Sequence, residues 1–287
     1  MRGEKIPMNR ITLMTIICVA AWVAVSFMPL AAIAQSKNGQ STGERAQSED
    51  AELAKKLQNP VANIISAPFQ SNFDFGGGPE DDGFRYTLNV QPIIPFSLNK
   101  DWNLITRTII PFVHQDKMIN LDSQTGLGDI AQTFFLSPAN PGSLIWGAGP
   151  VFLYPSASDD LLGTKKWGVG PSVVLLKQDK GWTFWTLANH IESFAGDGAR
   201  GYVSLTYINP GISYRTKSLT TFLLQTESTY DWKADQWTVP INAGVTQLLK
   251  FGKLPVSIGL QVRIYSEKPD GAPDWGLRLV VTPVFTK

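Results

Sequence analysis

The sequence predicts an all-β chain, an antiparallel transmembrane β-barrel of about 12 strands, with a secretory leader and a short helix ahead of it. Three observations predict it. Apolar and polar residues alternate with a period of two through much of residues 61–287. The connections between the alternating stretches switch between short turns and longer loops. Tryptophans gather at the ends of the stretches, where indoles meet a membrane–water interface.

The chain opens on a basic segment with Arg2, Lys5 and Arg10. An apolar run over 11–34 follows and closes with Ala32-Ile33-Ala34 before Gln35. This is the pattern of a signal peptide, and residues 1–34 are expected to be removed during export through an inner membrane. The run is longer than a usual h-region of about 7–15 residues. It is long enough to span a bilayer, so an uncleaved anchor is the alternative. Pro29 and the small residues beyond it favour cleavage.

Composition then narrows the function classes. Cys18 is the only cysteine and lies in the leader, so the mature chain has no disulfide, thiolate nucleophile or cysteine metal site. His114 and His190 are the only histidines, too few for a histidine-rich metal centre, and no cofactor motif is present. The whole chain has 25 basic and 24 acidic residues; without Arg2, Glu4, Lys5 and Arg10 the balance is 22 to 23. That gives no reason to expect a nucleic-acid partner. Charged residues are 17% of the chain, below the roughly 25% of an average soluble domain. After the leader no apolar stretch reaches the roughly 18 residues of a membrane helix. A barrel needs neither, because each strand is apolar on one face only.

Residues 35–60 read as a polar linker and a short helix. Positions 35–50 have the composition of a disordered segment. Positions 51–58 can form a helix with Ala51, Ala54 and Leu57 on one side, ended by Pro60. The piece is expected to be a loose periplasmic tail, with plugging of the barrel as the alternative.

The barrel itself is expected over 61–287. Strands begin near residues 61, 84, 102, 127, 144, 167, 182, 201, 219, 237, 255 and 275. The clearest covers 84–98, with Phe84, Tyr86, Leu88, Val90, Ile94, Phe96 and Leu98 on one face and Arg85, Thr87, Asn89 and Gln91 on the other. Residues 256–265 and 275–285 repeat the pattern. The short connections carry lysines (Lys100, Lys180, Lys217, Lys250); the longer ones are acidic (Glu80, Asp81, Asp82, Asp159, Asp160). An even strand number returns both termini to the periplasm. Trp102, Trp167, Trp182, Trp232, Trp237 and Trp275 fall at strand ends and Trp146 near one, whereas Trp185 falls inside a strand. Phe285 stands close to the C-terminus, as the closing strand of such barrels requires, though Thr286 and Lys287 follow it. Against the pattern, Pro68, Pro92, Pro95, Pro111, Pro150, Pro171, Pro210, Pro240 and Pro283 lie inside expected strands. Proline cannot donate to a ladder, so several of these must be bulges or interruptions.

Five stretches together carry a resemblance. They are Leu53-Ala54-Lys55-Lys56-Leu57-Gln58-Asn59-Pro60-Val61-Ala62, Gly126-Leu127-Gly128-Asp129-Ile130, Asp159-Asp160-Leu161-Leu162-Gly163, Leu187-Ala188-Asn189-His190-Ile191 and Thr226-Glu227-Ser228-Thr229-Tyr230-Asp231-Trp232. The chain resembles the outer-membrane barrel family described by the MetA pathway of phenol degradation, whose members are called transporter or neuromodulin-like proteins. The resemblance spans nearly all of the mature chain. It implies an outer-membrane barrel that handles small aromatic or apolar compounds, and it brings no catalytic residue set. The partners then expected are outer-membrane lipid and lipopolysaccharide, the barrel-assembly machinery and a small-molecule solute, while solute identity and oligomeric state stay open.

One face of each strand lines the lumen. The residues singled out there as lining or selecting are Asp74, Arg85, Arg107, Glu227, Asp231, Arg263 and Arg278. Strands 11, 12, 1 and 2 are neighbours in a closed barrel, so Arg263, Arg278, Asp74 and Arg85 are expected to form a charged belt. Such a belt either selects solutes by charge and hydrogen bonding or fills a narrow barrel with salt bridges. The chain is read as a non-enzyme, a passive channel, with a closed structural barrel as one alternative. The other is a barrel enzyme acting on lipid through His190, oriented by Glu192, with Ser193 or Ser204 as nucleophile. The glycine clusters at 76–78, 147–149 and 168–170 lack the setting of a phosphate loop and read as turns and tight bends. The acidic loops read as solvated, with cation bridging to lipopolysaccharide as the alternative.

Overall fold

The computed structural model describes residues 40–119, 122–252 and 254–285, with side chains from residue 48 onward. Residues 1–34, where a signal peptide is expected, and the last two residues lie outside the described residues. Two units divide the chain, 1–46 and 47–287. Of the first, the described part is helical.

Twelve antiparallel strands close into one barrel. Strand β1 runs in two pieces, Ile65–Ser66 and Phe69–Gly77, and β2 in Gly83–Val90 and Ile93–Ser97. Then come β3 (Trp102–Asp116), β4 (Gln124–Leu127 and Ile130–Pro138), β5 (Leu144–Tyr154), β6 (Lys166–Asp179) and β7 (Trp182–Gly196). The rest are β8 (Ser204–Arg215), β9 (Thr220–Thr226 and Ser228–Asp231), β10 (Gln236–Phe251), β11 (Leu254–Glu267) and β12 (Trp275–Phe285). Each pairs with its sequence neighbours, and β12 closes on β1 through Gly276 opposite Asp74 and Arg278 opposite Asn72. Closure removes the unpaired edges that an open sheet would expose.

The alternation read from the sequence sets which face points where. Phe112, Leu136, Phe184, Leu224 and Leu277 point outward and are exposed, while Asn72, Gln115, Asn242 and Arg278 point inward and are buried. This inversion suits an apolar solvent outside and a polar interior. The indoles of Trp102, Trp146 and Trp182 ring the short-turn end; those of Trp167, Trp232, Trp237 and Trp275 ring the long-loop end. Trp185 alone of the described tryptophans turns inward, where its Nε1 donates to Asn209 Oδ1 at 3.3 Å.

The prolines explain the interruptions. The breaks in β1 and β2 contain Pro68 and Pro92, and those in β4 and β9 lie opposite Pro111 and Pro240. A proline lacks the N–H but keeps the carbonyl. Each carbonyl is used: Gln91 N donates to Pro68 O, Thr108 N to Pro92 O, Gly128 N to Pro111 O and Glu227 N to Pro240 O, at 2.8–3.3 Å. Glycine serves the bends as expected, with Gly76 at φ of 72° in the register shift at the end of β1 and Gly78 at 82° in the turn that follows.

Three expectations change at the N-terminal side. Helix α1 covers Gln40–Leu57, so it begins inside the stretch read as disordered. And the segment after it is not loose. Gln58 Oε1 accepts from Thr183 Oγ1 and Ser213 Oγ at 2.5 and 3.1 Å, and Gln58 Nε2 donates to Thr221 Oγ1 at 3.2 Å. Lys250 pairs with Asp50 at 2.6 Å. Val61 packs among Ile105, Phe135, Val174 and Leu187, the apolar core of the interior. Residues 50–64 therefore sit in the short-turn mouth of the barrel, and β1 starts at Ile65 rather than near 61. Glycine makes room there too: a Cβ on Gly147 would stand 3.0 Å from Val61.

Candidate functional site: a charged girdle and a lumen cavity

Alternation puts long polar side chains from six strands at one level of the lumen. Glu227 is the hub. Arg278 Nη1 and Nη2 donate to its two carboxylate oxygens at 2.9 and 2.6 Å, and Arg263 Nη2 stands 3.9 Å away. Arg263 Nη1 also reaches Asp74 Oδ1 at 3.3 Å, and Tyr265 donates its hydroxyl to the same oxygen at 3.1 Å. Asn72 Oδ1 ties the two guanidiniums together, accepting from Arg263 Nη1 at 3.1 Å and Arg278 Nε at 2.7 Å. Arg85 donates to Gln115 Oε1 at 3.0 Å and Arg107 to Gln91 Oε1 at 2.8 Å.

Six of the seven residues singled out from the sequence thus belong to one girdle. The seventh does not. Asp231 shares the inward face of β9 but lies at its rim, where its Oδ1 accepts from Lys233 N and Ala234 N. Asn72, Tyr265 and Gln261 complete the network, and of these the tyrosine was missed because it reads as one more alternating aromatic. The position of Glu227 follows from backbone chemistry. Pro240 has no N–H to offer β9, the ladder opens at Glu227, and the register of β10 shifts between Val239 and Pro240. Asn242 beside Arg263 is fully buried with neither amide atom paired among the described residues.

The girdle is positive. Arg85, Arg107, Arg263 and Arg278 face Asp74 and Glu227, an excess of two charges. On its short-turn side lies a cavity of about 290 Å³, bounded by Trp185, Leu187, Leu223, Gln261 and Val280 on the wall and by Leu57, Gln58 and Ala62 of the tail.

The residues weighed for lipid catalysis stand elsewhere. His190, Glu192, Ser204 and Thr206 share the outward face of β7 and β8, since Glu192 pairs with Ser204 and His190 with Thr206. Ser193 points inward and cannot serve His190. The His190 Nδ1 contact is Thr206 Oγ1 at 2.9 Å, which also accepts from Trp232 Nε1 at 2.8 Å. The acidic loops are paired: Asp82 with Lys117 and Asp160 with Lys165, each at 2.6 Å. These contacts hold the Lys117 ammonium above its usual pKa range and the Asp160 carboxyl below its own.

Similarity to known proteins lies in the fold. The COG4313 outer membrane channel from Pseudomonas putida F1 superposes with a TM-score of 0.59 at 14% identity, over 77% of this chain and 94% of that one. The chain shares the fold of that outer-membrane β-barrel. The NanC porin (TM-score 0.49, 10% identity, 77% and 100% covered) and outer membrane phospholipase A from Escherichia coli (0.43, 12%, 83% and 98%) align more loosely and bear no argument. No family model matches the sequence, and no curated protein does.

Proposed function

We propose that the chain, exported with loss of residues 1–34, acts in a bacterial outer membrane as a passive channel for small aromatic or apolar solutes. The observation that carries this reading is the cavity inside the lumen, walled by Trp185, Leu187, Leu223 and Val280. A barrel that served only as a scaffold has no use for an apolar chamber in a polar interior. The girdle of Asp74, Arg85, Arg107, Glu227, Arg263 and Arg278 is the selecting element on the long-loop side, and the tail is the element that governs the periplasmic mouth. The outward apolar belt faces lipid, and the long loops face lipopolysaccharide. The barrel-assembly machinery inserts the chain through its aromatic-ended closing strand.

The test is conductance of the mature protein in planar bilayers, together with uptake of benzyl alcohol by a strain lacking the gene. No conductance and no change in uptake would sink the proposal. One observation favours a second reading, a closed structural barrel: the tail occupies the mouth and the girdle is knitted by ion pairs. That reading expects no conductance even after the tail is displaced.

A further inference from the structure

The cavity has a charge pattern that the channel reading alone does not require. Two cations, Arg107 and Lys56, line it, and no carboxylate does. Arg107 is the telling one. Arg263 and Arg278 each hold a carboxylate. Arg107 has Gln91 Oε1 as its one hydrogen-bond partner among the described residues, so most of its five N–H donors are unused. It lies in the barrel interior, yet its side chain keeps accessible surface, and that surface faces the cavity. Glu227 attracts it only from a distance and is already held by Arg278, so an anion in direct contact lowers the cost of keeping this cation away from bulk water.

The wall also carries apolar side chains, Trp185, Leu187, Leu223 and Val280, set among hydroxyls such as those of Ser213, Thr221 and Thr282. Asn209 and Gln261 add neutral hydrogen-bonding groups. The volume of about 290 Å³ lies at the small end of ligand pockets, which suits a single ring or a short chain. The girdle on the long-loop side carries the same sign of charge, so an anion is drawn in from that side and a cation is repelled.

We infer that the cavity is a binding site for an amphipathic monoanion, an aromatic or short aliphatic carboxylate, with its carboxylate on the Arg107 guanidinium and its apolar body against Trp185 and Leu187. This deepens the proposed channel function and rests on it for transport, but not for binding. Arg107 fixes the charged end by a bidentate contact, which its planar fork permits and an ammonium does not. The apolar wall contributes affinity without selecting among rings.

Benzoate, benzyl alcohol and benzylamine are probes of one shape and three charges. The mature protein in liposomes is expected to pass benzoate at least tenfold faster than benzylamine. Arg107→Gln should reduce the flux of benzoate relative to benzyl alcohol about tenfold, the order expected for loss of a charge-assisted hydrogen bond. Calorimetry of the detergent-solubilised barrel gives the independent readout: benzoate binds the native chain and binds Arg107→Gln at least tenfold more weakly. Arg107→Lys, which keeps the charge and loses the fork, should fall between. It also replaces Arg107→Gln if that variant lacks the heat-modifiable migration of a folded barrel. Equal passage of all three probes, unaffected by either variant, overturns the anion site and leaves the channel reading standing. Benzoate binding without passage of any probe supports the site and overturns the channel.

Discussion

Glu227 and Arg278 meet fork to fork, with both terminal guanidinium nitrogens on the two carboxylate oxygens at 2.9 and 2.6 Å. They come from β9 and β12, so the contact cross-links strands that share no ladder. The Arg278 side chain is 2% exposed and Glu227 21%. Breaking a buried pair by removing one partner leaves the other charge without compensation, at about 3–5 kcal/mol. Glu227→Ala, which leaves Arg278 without a carboxylate while Arg263 keeps Asp74, is expected to destabilise the barrel by that order in urea unfolding from lipid vesicles. Arg278→Lys should lose part of it, because a lysine cannot bridge both oxygens. A loss under 1 kcal/mol for Glu227→Ala would show that the pair is screened by solvent in the lumen.

The tail is held by a few polar contacts and by buried apolar residues, Ala54, Val61 and Ala62. Val61 is the residue to test. Val61→Asp places a carboxylate among Ile105, Phe135, Val174 and Leu187, where nothing can pair with it. The segment is expected to leave the mouth. Trypsin should then cut at Lys55 and Lys56 at least tenfold faster than in the native chain, and single-channel conductance should rise. Unchanged cleavage would mean that Gln58 and Asp50 hold the segment without Val61.

Trp185 owes its seat to Gly211 on the paired strand. A Cβ at that glycine would fall 2.1–2.6 Å from carbons of the indole ring. Gly211→Ala therefore forces the ring to move, at about 1–3 kcal/mol for overpacking. The tryptophan emission of the folded barrel should shift relative to the native chain, and the shift should vanish in a Trp185→Phe background. A spectrum identical to the native one would place the ring elsewhere.

How much of this could be read from the sequence depends on what a period of two carries. It carries the face of a residue, so residues 84–98 and 256–265 were assigned inward and outward as they are found. Eleven strands begin within three residues of the expected positions, because turns and proline breaks punctuate the pattern. It does not carry distance across the lumen, which depends on strand tilt and stagger. Glu227 and Asp231 share a face of β9 and looked equivalent, yet one is the hub and the other a rim cap. The sequence also placed Trp185 as the exception to the rim rule without giving the reason, which is the cavity it lines. The tail was misjudged for a different cause: an amphipathic turn of helix shows that an apolar side exists but not what covers it.

Asp129 offers the last test, since it joins two of the stretches that carried the family resemblance. It lies in the break of β4, and its Oδ2 accepts from Thr164 N and Thr164 Oγ1 at 2.6 and 2.7 Å. Its Oδ1 accepts from Ala157 N at 3.2 Å. Both partners lie in the long connection between β5 and β6. Gly163, at the end of Asp159-Asp160-Leu161-Leu162-Gly163, comes so close that a Cβ there would stand 2.6 Å from Asp129 Oδ1. One carboxylate thus folds the loop back over the wall, and hydrogen bonds to a charged group are worth about 1.5–3 kcal/mol each. Asp129→Ala should free the loop without opening the barrel, because the ladder on either side does not use that side chain. Trypsin is then expected to cut at Lys165 or Lys166 at least tenfold faster, with the heat-modifiable migration unchanged. Asp129→Asn, which keeps one acceptor oxygen, should lie between; if both variants resist trypsin as the native chain does, the loop is held by the contacts of Ser156 and Ser158 instead.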